Sequence, residues 1–184
     1  VIELFRKLHP LDRVPRAGFL LRGVCEPESV AAHSHFLALL VMLTTDQHPE
    51  TYDRYRAVAM ALMHDLSEAV TMDIPMPAGD RYFREAKTDA EQGVIESLFE
   101  EFPAAYAELH RELIEGKTAE ARLVRAMDKA QMMIKVLCYQ AEGRGNLEEF
   151  WRNERNFEDY GIPEAASLFR EIRRRAGEEP DRRG

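Results

Sequence analysis

His64 and Asp65 stand side by side in the stretch MHDLSEAVTMDIP (residues 63–75), with Glu68 and Asp73 close behind. The apolar run before them predicts a helix over roughly 52–70. His64 and Glu68, four apart, share a face of that helix, and Asp65 and Glu68, three apart, are neighbours on it. The last turn of a helix carries partial negative charge, so each carboxylate there costs about 0.3–1 kcal/mol. A cation nearby removes that cost, and no lysine or arginine occurs between Arg56 and Arg81. A bound metal ion is the sharper account. Solvated carboxylates beside a hydrogen-bonded core histidine are the plainer one.

Residues elsewhere shift the balance. His33 lies on the nearly all-apolar segment SVAAHSHFLALLVMLTT (29–45), on one stripe with Val30, Leu37 and Leu40. Alone, such a histidine reads as a satisfied core residue. Asp128, in RLVRAMDKAQMMI (122–134), has Val124 one turn before it and Met132 one turn after. A carboxylate on such a face needs a partner, because burying an unpaired charge is expensive. His33, His64, Asp65 and Asp128 together offer two imidazoles and two carboxylates from three predicted helices. That mixed nitrogen and oxygen set suits a divalent ion such as Mn, Co, Fe, Ni or Zn. Helices converging on a core are also how bundles build metal sites. The remaining histidines, His9, His35, His48 and His110, fall at predicted helix ends, on the opposite side of the first buried helix, or at a surface break.

The elements that must position these residues are helical almost throughout, with no alternating polar and β-branched run. Residues 1–9 form a short amphipathic helix, and 10–27, with Pro10, Pro15, Gly18, Gly23 and Pro27, a loop-rich segment. The 29–45 helix is apolar enough to be buried on most sides. After the Pro75/Pro77 loop come helices ending at Pro103 and at Gly116, then a long one from Thr118 to about Glu142. "GRGN" is a turn, and two short helices span about 147–158 and 164–175. The expectation is one all-α domain over 1–175, followed by a disordered tail at 176–184.

Composition agrees with one domain. The 184 residues are 45% hydrophobic and 32% charged, enough for a sizeable core. A net charge of −8 and pI near 5.3, without basic clusters interleaved with aromatics, exclude a nucleic-acid or anionic-membrane surface as a whole-protein property. A local site for a phosphorylated small molecule stays open, since a metal or one arginine reverses the local potential. Cys25 and Cys138 are far apart and in no metal-like spacing, which reads as reduced thiols in a cytoplasmic protein. No stretch is long and apolar enough to span a bilayer.

The order His33, His64–Asp65, Asp128 resembles the HD-domain phosphohydrolase superfamily. The segments RVPRAGFLLRGVCEPESVAAHS, MHDLSEAVTMDIP and EARLVRAMDKAQMM are similar to the small HD-domain 5'-deoxynucleotidases, the YfbR-like and HD-domain-containing 2 proteins, over about residues 5–160. The resemblance implies a helical bundle with one divalent ion (Co, Mn, Fe, Ni, Zn or Mg) held by His33, His64, Asp65 and Asp128. It implies Glu68 as the catalytic carboxylate, Asp73 meeting the sugar hydroxyl, Arg16 (or Arg22, the register being loose) contacting the phosphate, and Phe19 beside the base. It also implies a homodimer. Without it, Arg16 reads equally as a loop arginine and Asp73 equally as a cap.

Departures from that pattern are specific. Ala32 stands where these proteins usually carry Glu or Asp, Phe19 replaces a tryptophan, and IPMPAGDR after Asp73 lacks a threonine and a lysine, for which Arg81 is a substitute. The function expected is removal of the 5'-phosphate from (deoxy)ribonucleoside monophosphates. The alternatives are hydrolysis of nucleoside triphosphates or another small phosphate ester, and a non-catalytic regulatory module.

Overall fold

The computed structural model describes residues 1–75 and 84–177; Pro77, Arg81 and the tail beyond Gly177 lie outside them. The described residues are helical and contain no strand, only an isolated bridge between Pro15 and Ser29. In chain order the α-helices are α1 Ile2–Leu8, α2 Ala17–Leu20, α3 Val30–Gln47, α4 Arg54–Met63, α5 Glu68–Thr71, α6 Arg84–Leu98, α7 Ala105–Glu115, α8 Ala119–Ala141, α9 Glu148–Arg152 and α10 Pro163–Ala176.

Local chemistry sets the starts and stops. Ser29, Asp53 and Thr118 each cap a helix by accepting a backbone N–H three residues on, from Ala32 (3.2 Å), Arg56 (3.0 Å) and Ala121 (3.3 Å). Gly116 ends α7 and Gly177 ends α10 in the left-handed conformation that glycine adopts without penalty. The core gathers on α8, whose Leu123, Val124, Met127, Met133 and Val136 are buried against α3, α4 and α10. A satellite cluster of Met63, Ile95, Leu98 and Phe99 attaches α6.

Two expectations need correction. The 29–45 helix is not buried on most sides: Phe36, Leu39 and Leu43, spaced so as to share one face, are exposed. Nor does one helix run through 52–70. Regular winding stops at Met63, and the backbone continues through tighter bonds, Leu66 N–H to Met63 C=O (3.2 Å) and Glu68 N–H to Asp65 C=O (3.0 Å). Glu68 then opens α5, which Met72 closes with φ of 63°. The helix-end cost expected for Glu68 therefore does not arise, because Glu68 sits at a helix start.

The 10–29 segment is pinned in place from both sides. Arg16 N–H donates to Glu28 C=O (3.1 Å) and Val30 N–H to Val14 C=O (2.9 Å). The GRGN turn grips the segment as well: Asn146 N–H donates to Arg22 C=O at 2.7 Å. Only glycine fits at 145, since its φ is 71° and a Cβ there would lie 2.8 Å from that carbonyl oxygen.

Candidate active site

α3 and the α4–α5 turn bring His33, His64 and Asp65 together, and Asp128 of α8 adjoins them beside His33. His33, fully buried on α3, places its Nε2 3.2 Å from His64 Nε2 and 3.0 Å from Asp128 Oδ1 of α8. Asp65 Oδ2 lies 2.9 Å from His64 Nε2 and 3.9 Å from His33 Nε2. His64 Nδ1 donates to Ala61 C=O at 2.8 Å, and His33 Nδ1 lies 2.6 Å from Gln131 Oε1. Each ring is thereby held by its outer nitrogen while its inner nitrogen faces the other donors.

This arrangement fits a divalent ion. The ligand atoms of His33, His64 and Asp65 all lie within 4.8 Å of one another, a grouping compatible with donors bound to one ion at about 2.0–2.2 Å, and Asp128 adjoins that group through His33. Asp128 Oδ1 is buried and accepts no hydrogen bond, and the same holds for Glu68 Oε2. The electrostatics agree. Burial opposes the charge on Arg16, yet Asp65, Asp73 and Asp128 outweigh it and raise the guanidinium further. Burial likewise works against charged Asp65 and Asp128; His64 and Arg16 for the first, His33 and Arg16 for the second, hold them below the ordinary carboxylate range. Burial, then Asp65 and Asp73, pushes Glu68 up to about 10. The centre thus carries an excess of negative field, which draws a proton onto Glu68 and would be discharged by a metal cation.

Arg16 covers the cluster, with Nη1 3.1 Å from Asp65 Oδ2 and Nη2 3.9 Å from Asp128 Oδ1. Arg22 pairs instead with Glu149, on another stretch of the wall. Asp73 Oδ2 accepts the Ala17 N–H at 2.7 Å, so Asp73 clamps the start of α2, right beside Arg16. These residues line one cavity of about 380 Å³, together with Glu68, Asp65 and Asp128. Phe19 also reaches its wall but is 2% exposed, stacked on Phe150 (5.1 Å) and edge-on to Tyr139 (5.1 Å). Its ring face is already occupied, and Phe150 is the half-buried aromatic of the pair.

Several residues of the site carry no signal in a motif. Lys87 of α6 enters the cavity wall, 3.4 Å from Glu91. It is a lysine where IPMPAGDR after Asp73 has none; its distance along the chain hid it. Gln131 and Glu28 stand behind His33, whereas Ala32 offers no side-chain partner. Gln131 follows Asp128 by three residues, so helical periodicity was the available clue. His110, expected at the periphery, is buried on α7 with Nδ1 3.0 Å from Gln92 Oε1.

A helical bundle that groups His33 with His64–Asp65 and sets Asp128 beside them defines a class, and residues 8–165 match the HD domain family, to which the chain belongs. Among its relatives is the 5'-deoxynucleotidase HDDC2 of Bos taurus, 30% identical over 94% of this chain and 83% of its own length. The protein of that name from Xenopus laevis is 32% identical, over 83% of this chain and 77% of its own. A conserved hypothetical protein from Pyrococcus furiosus superposes with a TM-score of 0.81 at 32% identity, covering 95% of this chain and 99% of its own.

Proposed function

We propose that this chain removes the 5'-phosphate from (deoxy)ribonucleoside monophosphates, with one divalent ion held by His33, His64, Asp65 and Asp128. The observation that carries the reading is that Arg16, Asp65, Asp128 and Glu68 line one cavity directly in front of His33 and His64, with Glu68 Oε2 buried and without a hydrogen-bond partner. When bound, such an ion lowers the pKa of a coordinated water and polarises a phosphoryl group.

The chain's own residues supply the rest. Arg16, held by Asp65, directs its planar fork at the phosphate oxygens, the geometry that suits a bidentate contact. Glu68 aligns the attacking water and takes its proton as the water oxygen bonds to phosphorus. The bond from phosphorus to the 5' oxygen breaks, and the proton passes to the leaving alkoxide, giving nucleoside and inorganic phosphate. Asp73 keeps Oδ2 on the Ala17 amide and turns its other oxygen to the sugar hydroxyl. Phe150 with Phe19 behind it, Asn153 and Met132 form the wall open to the base.

Cytoplasmic residence and a homodimer belong to the same proposal. Two free, exposed thiols, Cys25 and Cys138, suit a reducing compartment. The exposed Phe36, Leu39 and Leu43 face of α3 is the apolar surface a second copy would cover. Among the described residues no helix is long and apolar enough to cross a membrane.

The test is a phosphatase screen over ribo- and deoxyribonucleotides with Mn or Co added. Phosphate release from a 5'-monophosphate, lost in Glu68→Ala, is expected. Triphosphate released from a dNTP would move the substrate to nucleoside triphosphates. No product from any monophosphate, with metal bound, overturns the proposal.

A further inference from the structure

Behind the candidate metal centre runs a chain of polar groups, largely buried, none of which lines the cavity. His33 Nδ1 lies 2.6 Å from Gln131 Oε1. Gln131 Nε2 lies 3.2 Å from Glu28 Oε2 and 3.4 Å from Glu28 Oε1. Lys135 Nζ stands 3.3 Å from Glu28 Oε2, and the Glu28 backbone N–H donates to the Tyr139 hydroxyl at 2.7 Å. His33 is 0% exposed, Gln131 5% and Glu28 9%, so water is not an alternative partner.

The chemistry of each link fixes the next. A carboxylate only accepts hydrogen bonds, and Glu28 is ion-paired with Lys135. The Gln131 amide must therefore turn its NH₂ toward Glu28, which leaves its carbonyl oxygen toward His33. A carbonyl also only accepts, so the proton of the His33 ring must sit on Nδ1. Glu28 Oε1, 3.8 Å from the same nitrogen, reinforces that choice. We infer that Glu28 and Gln131 are positioning residues that set the tautomer of His33 and so reserve its Nε2 lone pair for the metal. The direction of the whole relay comes from the one charged pair at its far end, Lys135–Glu28. His64 needs no such device, because the Ala61 carbonyl meets its Nδ1 directly. Without the relay the His33 proton could reside on Nε2, pointing at Asp128, and that tautomer cannot ligate an ion through Nε2.

The inference rests on His33 being a metal ligand, and the experiment separates the two. Ring-¹⁵N-labelled, metal-free protein is examined by long-range ¹H–¹⁵N correlation near pH 8, and Mn affinity is measured by titration. In the wild type, His33 is expected with a proton on Nδ1 and a bare Nε2. Glu28→Gln changes no volume but lets the Gln131 amide face either way, and a mixture of tautomers is expected. Mn affinity should fall about 10–100-fold in Glu28→Gln and in Gln131→Leu, the usual cost of losing an outer partner of a ligating histidine. A proton on His33 Nε2 in the wild type overturns the inference, and that spectrum needs no variant to fold. So do variants that melt as the wild type does and bind Mn with unchanged affinity. Wild-type protein that takes up no Mn overturns the metal reading first, and the inference with it.

Discussion

His33 and His64 present their Nε2 atoms to each other across 3.2 Å, while the outer nitrogen of each ring is occupied, by Gln131 and by the Ala61 carbonyl. Two imidazoles oriented in this way repel unless something positive lies between them and the neighbouring Asp65 and Asp128. Arg16 supplies part of that charge from one side. The remainder is the place for an ion, and most of the expected behaviour of the protein follows from it.

The first expectation concerns stability. An ion that binds only the folded chain stabilises it by about 2.7 kcal/mol at a hundredfold excess over its dissociation constant. For a chain of this size that is about 5–10 °C in melting temperature. Adding Mn or Co to chelator-treated protein should raise the melting point by that order, and His33→Ala should abolish the rise. An identical rise in His33→Ala would place the ion elsewhere.

Arg16 and Arg22 are separable by the same logic. Arg16→Ala removes the fork that faces the cluster and should lower kcat/KM by about a hundredfold or more, roughly 3 kcal/mol of transition-state stabilisation. Arg16→Lys keeps the charge but not the fork and should fall between Arg16→Ala and the wild type. Arg22→Ala, which breaks a pair with the exposed Glu149, should change KM by only a fewfold. The reverse ranking in steady-state assays would transfer the phosphate contact to Arg22.

A pH effect is expected far from the site. The Tyr52 hydroxyl donates to Glu164 Oε2 at 3.0 Å, and burial together with that bond pushes its pKa from 10.0 up to about 12. The folded chain thus holds this proton more tightly than the unfolded chain does. The stabilisation is fully present below pH 10 and is lost as pH rises through 12. Tyr52→Phe should be about 1 kcal/mol less stable at neutral pH, the usual worth of one hydrogen bond. Urea midpoints of the two proteins should converge between pH 10 and 12. A gap that stays constant across that window would show that Tyr52 does not carry it.

How much of this could be read from the sequence depended on the range of the interaction. Helical periodicity is local, and it places α3, α8 and the start of α4 within a residue or two, but not the end of α4. Asp128 was visible because a carboxylate between Val124 and Met132 contradicts its surroundings. The break after Met63 was not visible, since the tightening to i→i+3 bonds has no glycine or proline to announce it. Lys87, and the pairing of Glu28 with Gln131, depend on which helices meet, and residues 103 apart leave no trace in spacing. Phe19 illustrates the opposite error: its place near the cavity was legible, but not that Phe150 already stacks on its ring.

Asp73 is the residue on which the substrate reading can be tested most narrowly, because its two oxygens have different surroundings. Oδ2 accepts the Ala17 amide and so holds the segment that carries Arg16; the carboxylate also lines the cavity. Asp73→Ala removes both functions and should cost about 1.5–3 kcal/mol of stability, the range for a hydrogen bond to a charged group. Asp73→Asn keeps a carbonyl oxygen for Ala17 and places an NH₂ toward the cavity, where a sugar hydroxyl can no longer donate to it. The asparagine variant should therefore fold and melt nearly as the wild type does, within about 1 kcal/mol, while KM for a nucleoside monophosphate rises about tenfold or more. With a simple phosphate ester that has no sugar, Asp73→Asn should act like the wild type. If nucleotide kinetics in Asp73→Asn are unchanged, Asp73 serves only as the clamp on α2, and the sugar must be recognised by another part of the wall.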